Sequence, residues 1–172
     1  MIWLWVLIAI VLIFGLVVFR GAPYVPSRKR ELARAFDELY SLTKNDVLVD
    51  IGSGDGVVLR EAAKRQARAV GYELNPILVL ITKLLSRKQP LVEVYLADFW
   101  FAKLPNDTTV VYVFGESRDI TKMAQRVEDE AKRLGKQLSF ISYGFVVAGR
   151  TPVKKVGAYY LYLFNSLQSE EA

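Results

Sequence analysis

Residues 2–19 form an unbroken apolar run without one charged side chain. A helix of that length, at ~1.5 Å per residue, just crosses a hydrocarbon core of ~30 Å. Trp3 and Trp5 stand near its start, where interfacial anchors sit. No basic residue precedes the run, and Val17-Val18-Phe19 makes a poor cleavage site. The pattern therefore predicts an uncleaved transmembrane anchor over residues 1–20. Pro23-Tyr24-Val25-Pro26 then predicts a stiff, extended connector, because each proline fixes its own backbone and restrains its neighbour. Behind Ser27, a capping residue, Leu32, Ala35, Phe36, Leu39 and Tyr40 recur at helical spacing. Residues 21–45 read as this connector and an amphipathic helix that covers one edge of a sheet.

From residue 46 short apolar runs alternate with helical patterns, the signature of a parallel sheet with crossover helices. Strands are predicted at 46–50, 69–73, 91–97, 109–114 and 137–142. Helices fill 56–68, a stretch opened by Asn75-Pro76 and ending near Pro90, and a third that Ser117 or Asp119 caps and Gly135 stops. On that third helix Ile120, Met123, Ala124, Val127, Ala131 and Leu134 share a face, and its charged remainder reads as a solvated surface. Residues 152–164 predict two short strands turning at Gly157-Ala158. The expectation is an α/β domain over 46–165 with helices on both faces of a Rossmann-like sheet, and a polar tail over 166–172.

The chain has 172 residues and contains neither Cys nor His. Disulfides, thiolate metal sites and imidazole bases are therefore excluded, so triad hydrolysis and zinc catalysis are not expected, and no metal site is predicted. The net charge is +5, and most of it lies in one segment, where Arg20, Arg28, Lys29, Arg30 and Arg34 face only Glu31. A nucleic-acid binder would carry its basic surface on the folded domain. Here the excess flanks the apolar run, which points to a membrane surface and places the following domain on the cytoplasmic side.

Val49-Asp50-Ile51-Gly52-Ser53-Gly54-Asp55-Gly56 links the first predicted strand to its helix. Glycines there allow left-handed backbone and a close approach to a ligand, and the helix start offers free N–H groups. The glycine spacing departs from the dinucleotide fingerprint, and Asp50 and Asp55 would repel a pyrophosphate. Glu73 ends the second strand, Asp98 follows the third, and Phe114-Gly115-Glu116 follows the fourth. Ligands of open α/β sheets bind beyond these strand ends.

The glycine stretch followed by Gly71-Tyr72-Glu73-Leu74-Asn75-Pro76 resembles the first two motifs of class I S-adenosylmethionine-dependent methyltransferases. Together with the apolar run, the proline connector, Asp98-Phe99-Trp100 and Val111-Tyr112-Val113-Phe114-Gly115, the chain resembles one family. That family is the membrane-anchored protein-lysine methyltransferases, which include the mitochondrial enzymes acting on the ATP synthase c subunit and the adenine nucleotide translocase. The resemblance covers roughly residues 20–140 and is similar to that of a prokaryotic member, implying a plasma-membrane location. It implies S-adenosylmethionine held by Asp50, Gly52, Ser53, Gly54, Gly56, Glu73, Leu74, Asn75, Asp98 and Phe99. Asp50 would attract the cationic end, Glu73 would take both ribose hydroxyls, Asp98 the adenine amino group, and Phe99 with Leu74 would sandwich the ring. It further implies methyl transfer to a lysine of a membrane-associated protein. Glu116, Tyr112 and Tyr143 are candidates to orient the amine, and no general base is assigned. The motif Asn-Pro-Pro-Tyr of nucleobase and glutamine N-methyltransferases is absent after the fourth strand. A membrane lipid or quinone precursor as acceptor, and a non-catalytic S-adenosylmethionine-binding membrane protein, are the alternatives.

Overall fold

The computed structural model describes residues 2–6, 8, 29–114 and 119–166. The expected anchor lies mostly outside the described residues, as do the proline connector, Ser27, Ser117 and Glu116. Among the described residues no helix is long and apolar enough to cross a membrane.

Seven strands form one sheet in the order β3-β2-β1-β4-β5-β7-β6. They are β1 (Val47–Ile51), β2 (Arg68–Glu73), β3 (Val92–Leu96), β4 (Val110–Val113), β5 (Leu138–Tyr143), β6 (Lys154–Val156) and β7 (Tyr159–Phe164). The first five run parallel, and β7 lies antiparallel between β5 and β6. β1 and β4 are buried at every position, so their near-continuous Val/Ile/Leu composition is what strands covered on both faces require. The chain steps outward from β1 to β3 and then returns to place β4 against β1. The topological switch point therefore lies between the carboxyl ends of β1 and β4.

One face is covered by α1 (Lys29–Arg34), α2 (Val57–Ala63) and α3 (Pro76–Leu85), which pack Leu32, Leu59 and Val79 with Leu48, Val94 and Tyr112 of the sheet. The opposite face carries α4 (Ile120–Leu134), whose Ile120, Ala124, Val127 and Ala131 meet Val49, Val111 and Phe140.

The single amphipathic helix expected before β1 is α1 followed by a π-helical turn, Ala35–Leu39, that contacts β6 and β7. It therefore lies on the sheet face near its β6 edge. Tyr40 leaves the helix at φ −140°, and its hydroxyl donates to Asp46 Oδ1 at 2.7 Å. Asp46 also accepts from Thr43 N, Thr43 Oγ1 and Thr109 Oγ1, which locks the amino end of β1 to β4. This burial and hydrogen bonding push the Tyr40 phenol up to about 12. Helix α2 stops earlier than its pattern suggested, because the chain turns through Gln66 in the left-handed region, φ 64°.

Candidate functional site

The turn between β1 and α2 sits at the switch point. Gly52, Gly54 and Gly56 all have positive φ (74°, 56° and 77°), a conformation that L side chains rarely adopt. Gly52 N and Ser53 N donate to Tyr72 O at 2.9 and 3.2 Å, and Gly56 N donates to Ser53 O at 2.8 Å. A Cβ on Gly52 would meet nothing within 4 Å, so the backbone there borders open space. A Cβ on Gly56 would overlap the side chain of Thr82 on α3. Gly56 thus lets α2 and α3 pack closely, and it does not face the open side of the turn.

Glu73 is buried and organises the turn from β2. Its Oε2 accepts from Gly54 N and its Oε1 from Asn75 N, each at 2.8 Å. Each carboxylate oxygen retains a further lone pair for a ligand hydroxyl. Asn75 caps α3, accepting from Ile77 N at 2.9 Å, and Pro76 follows at the position where a missing N–H costs nothing.

Asp50 is 2% exposed, and its side chain forms no hydrogen bond or ion pair among the described residues. In the sheet it lies between Gly71 and Tyr112. Burial, with the nearby charges of Glu73 and Asp55, pushes its carboxyl well above the usual carboxylate range. A buried acid surrounded by acids is stabilised by an incoming cation. That is the property a sulfonium or amino group would exploit, so the residues present fit S-adenosylmethionine.

Asp98 lies two residues beyond β3, half-buried, with Oδ1 accepting from Trp100 N at 3.0 Å. Its segment is fastened from α4. Arg126 donates to Phe99 O at 3.1 Å and Ala102 O at 2.6 Å, while Glu130 accepts from Leu104 N at 2.9 Å and pairs with Arg133. The charged face of α4, expected to be only a solvated surface, therefore holds the loop that carries Asp98.

The structure brings Asp50, Gly52, Gly54, Glu73 and Asn75 together, with Leu74 exposed beside them. It does not bring in the Ser53 hydroxyl, which is buried without a hydrogen bond and points at Gly71. Nor does Phe99 present its ring. Phe99 is 4% exposed in the core, with the Arg126 guanidinium 5.4 Å from its centroid, and the accessible aromatics that follow Asp98 are Trp100 and Phe101. The alternating burial of a turn after a strand puts one neighbour in and the next out. Sequence reasoning also missed Thr82, whose hydroxyl donates to Gly54 O at 2.9 Å while wholly buried. Its signal was a lone Thr in a helix that is otherwise aliphatic but for Pro76 and Lys83.

A second feature adjoins Asp50. The ring of Tyr112 lies 6.4 Å from that of Tyr159, Tyr159 lies 4.6 Å from Tyr143, and Tyr143 lies 5.0 Å from Phe114. This aromatic file runs from the switch point to the carboxyl ends of β4 and β5. Tyr143 at its outer end reaches Glu31 of α1 at 3.4 Å.

Residues 50–154 match the ANTKMT methyltransferase domain family. The lysine N-methyltransferase of the ATP synthase c subunit from Xenopus laevis is 32% identical over 111 residues, which is 63% of this chain and 48% of that protein. The ribosomal RNA small subunit methyltransferase A of Thermotoga maritima is 38% identical over 72 residues, 42% of this chain and 26% of that protein. The chain thus spans about half or less of the length of these curated relatives. An RNA methyltransferase from Salinibacter ruber, solved in complex with S-adenosyl-L-homocysteine, superimposes with a TM-score of 0.76 at 25% identity, over 86% of this chain and 98% of that one. With the family match running from Asp50 at the switch point to the first residue of β6, the chain belongs to the ANTKMT methyltransferase domain family, methyltransferases that use S-adenosylmethionine.

Proposed function

We propose that the chain methylates a lysine side chain of a membrane-associated protein, with its domain held on the cytoplasmic side by residues 2–19. The reading of lysine as acceptor is carried by the aromatic file beside Asp50, and the lysine N-methyltransferases among its relatives support it. When bound, S-adenosylmethionine supplies an electrophilic methyl group on a cationic sulfur. Asp50 attracts that cation, Glu73 takes the ribose hydroxyls, and Asp98 accepts from the adenine amino group.

A lysine amine attacks only when neutral, although its reference pKa is ~10.4. The partly exposed rings of Phe114 and Tyr143, backed by the buried Tyr112 and Tyr159, offer a poorly hydrated surface for its methylene stem, which favours the neutral amine. Alignment with the methyl group then supplies much of the rate. Burial raises the Tyr159 phenol, so at neutral pH it remains a donor and not a base.

Relatives that act on RNA raise a nucleobase as acceptor. Here β4 is followed by Phe114-Gly115-Glu116 instead of Asn-Pro-Pro-Tyr, and base methylation is not proposed. The test incubates the purified full chain in detergent with tritiated S-adenosylmethionine and membranes from its own source. Label mapped to lysine in a protein band is the expected result. Label confined to the organic extract would favour a lipid or quinone precursor, and label in RNA would overturn the proposal. Cofactor binding by calorimetry without any labelled product would leave a binding protein.

A further inference from the structure

Helix α3 is poorly covered. Its sequence is aliphatic on nearly every side, yet only Val79 and Thr82 are buried. Leu80, Ile81, Leu84 and Leu85 are 67%, 37%, 59% and 53% exposed. Leu96, 60% exposed, lies on the same side of the sheet, because Val92 and Val94 of its strand pack with Val79. Soluble surfaces rarely collect large aliphatic side chains in this way.

Cations border the apolar face. Lys83, Arg87 and Lys88 are exposed, and none has an ion pair among the described residues. Between the second half of α3 and β3 lies a cavity of about 420 Å³, lined among others by Lys83, Ser86, Arg87 and Gln89. Ser86 is 7% exposed, and its Oγ has no hydrogen-bond partner. The Gln89 Oε1 is likewise buried and unpartnered. Two cations flank two orphaned polar atoms, one of which can only accept. That set suits a phosphate that carries hydroxyl groups. The acid at the cavity, Glu93, is already engaged by Arg68 at 2.7 Å and Tyr95 at 2.6 Å.

We propose that α3 lies in the surface of an anionic phospholipid bilayer, with its aliphatic side chains in the acyl boundary and a headgroup phosphate at Lys83 and Arg87. Basic rims around apolar helix faces bind such surfaces, and unpaired lysine and arginine side chains add attraction to anionic lipids. The inference is independent of the methyl acceptor, and its test is separable from that of the proposed anchoring by residues 2–19. A second protein is disfavoured, because a protein groove would have to bury three unpaired cations.

The native chain has no cysteine, so a single environment-sensitive fluorophore can be attached at Leu84→Cys, Ile10→Cys or Lys132→Cys in turn. Each full-length variant is mixed with phosphatidylcholine vesicles, with or without phosphatidylglycerol. Emission at position 84 should rise several-fold with phosphatidylglycerol, should fall back when Lys83→Gln and Arg87→Gln are added, and should not change at position 132 on α4. If position 84 stays in water while position 10 enters lipid, the inference is overturned and the anchoring stands. If position 84 enters lipid while position 10 does not, the inference stands and the anchoring fails. Equal shielding of position 84 by phosphatidylcholine alone and by phosphatidylglycerol vesicles would also overturn the inference.

Discussion

Asp50→Asn should separate binding from folding, because the two effects have opposite signs. The carboxyl is 2% exposed, without a partner among the described residues, and near Glu73 and Asp55. Its folded-state pKa is raised, so its contribution to stability is fully present below the ordinary value of 3.8 and is lost as pH rises through the raised value. Across that window the stability of the asparagine variant gains on the parent by up to ~1.4 kcal/mol per pH unit. For a chain of this size that is about 3–6 °C in Tm per pH unit. At neutral pH the variant therefore melts higher in the absence of cofactor. Its affinity for S-adenosylmethionine falls, because a hydrogen bond to a charged group is worth ~1.5–3 kcal/mol, or about 10- to 150-fold. In the parent, Asp50 must lose its proton to serve a cation, so affinity strengthens with pH across the same window. In the variant this slope is absent. The assay is calorimetric titration of both cofactor and S-adenosylhomocysteine, whose sulfur is neutral and whose loss should be smaller. A variant that melts lower at every pH and binds the cofactor as tightly as the parent would refute the reasoning.

Glu73→Gln presents an amide N–H₂ where one of two backbone donors now finds an oxygen, so denaturant unfolding should show a loss of about 1–3 kcal/mol along with weakened cofactor binding. Thr82→Val keeps the shape but leaves Gly54 O without its buried donor. It should cost about 1–3 kcal/mol and raise KM for the cofactor, and Thr82→Ser should restore both. Arg126→Met releases Phe99 O and Ala102 O, so KM for the cofactor should rise with kcat nearly unchanged, whereas an equal fall in kcat would show that Arg126 does more than position this loop. Gly71→Ala would set a Cβ 2.5 Å from Ser53 Oγ and 2.7 Å from Leu59 Cδ1, and its unfolding midpoint should drop by the ~1–3 kcal/mol typical of overpacking.

How legible each feature was in the sequence depends on how far its signal involves distant contacts. The strands of the sheet and the β6–β7 hairpin were readable, because period and turn residues are local. The acids at the ends of β1 and β2 were readable because strand ends recur at one edge of a parallel sheet. The direction of a side chain within a turn was not. Ser53 and Phe99 face inward because of what lies across from them, Gly71 in one case and Arg126 in the other. Thr82 and Arg126 were invisible for the same reason, since each acts on a backbone carbonyl 24–28 positions away. The π-helical turn escaped notice because Ala35, Phe36 and Leu39 keep an ordinary helical spacing while Tyr40 is drawn to Asp46.

The position of β1 at the centre of the sheet has a consequence for synthesis. Its first neighbour, β2, follows within a short crossover, but its second, β4, is joined to it by hydrogen bonds spanning 62 residues. A chain emerging from the ribosome can therefore assemble β1, β2 and β3 while the other edge of β1, Val47–Ile51, still waits for its partner. An apolar unpaired edge of that kind recruits other strands. The Asp46–Thr109 contact closes the gap only after β4 has been made, so mutations at Thr109 should lower soluble yield more than they lower the stability of protein already folded.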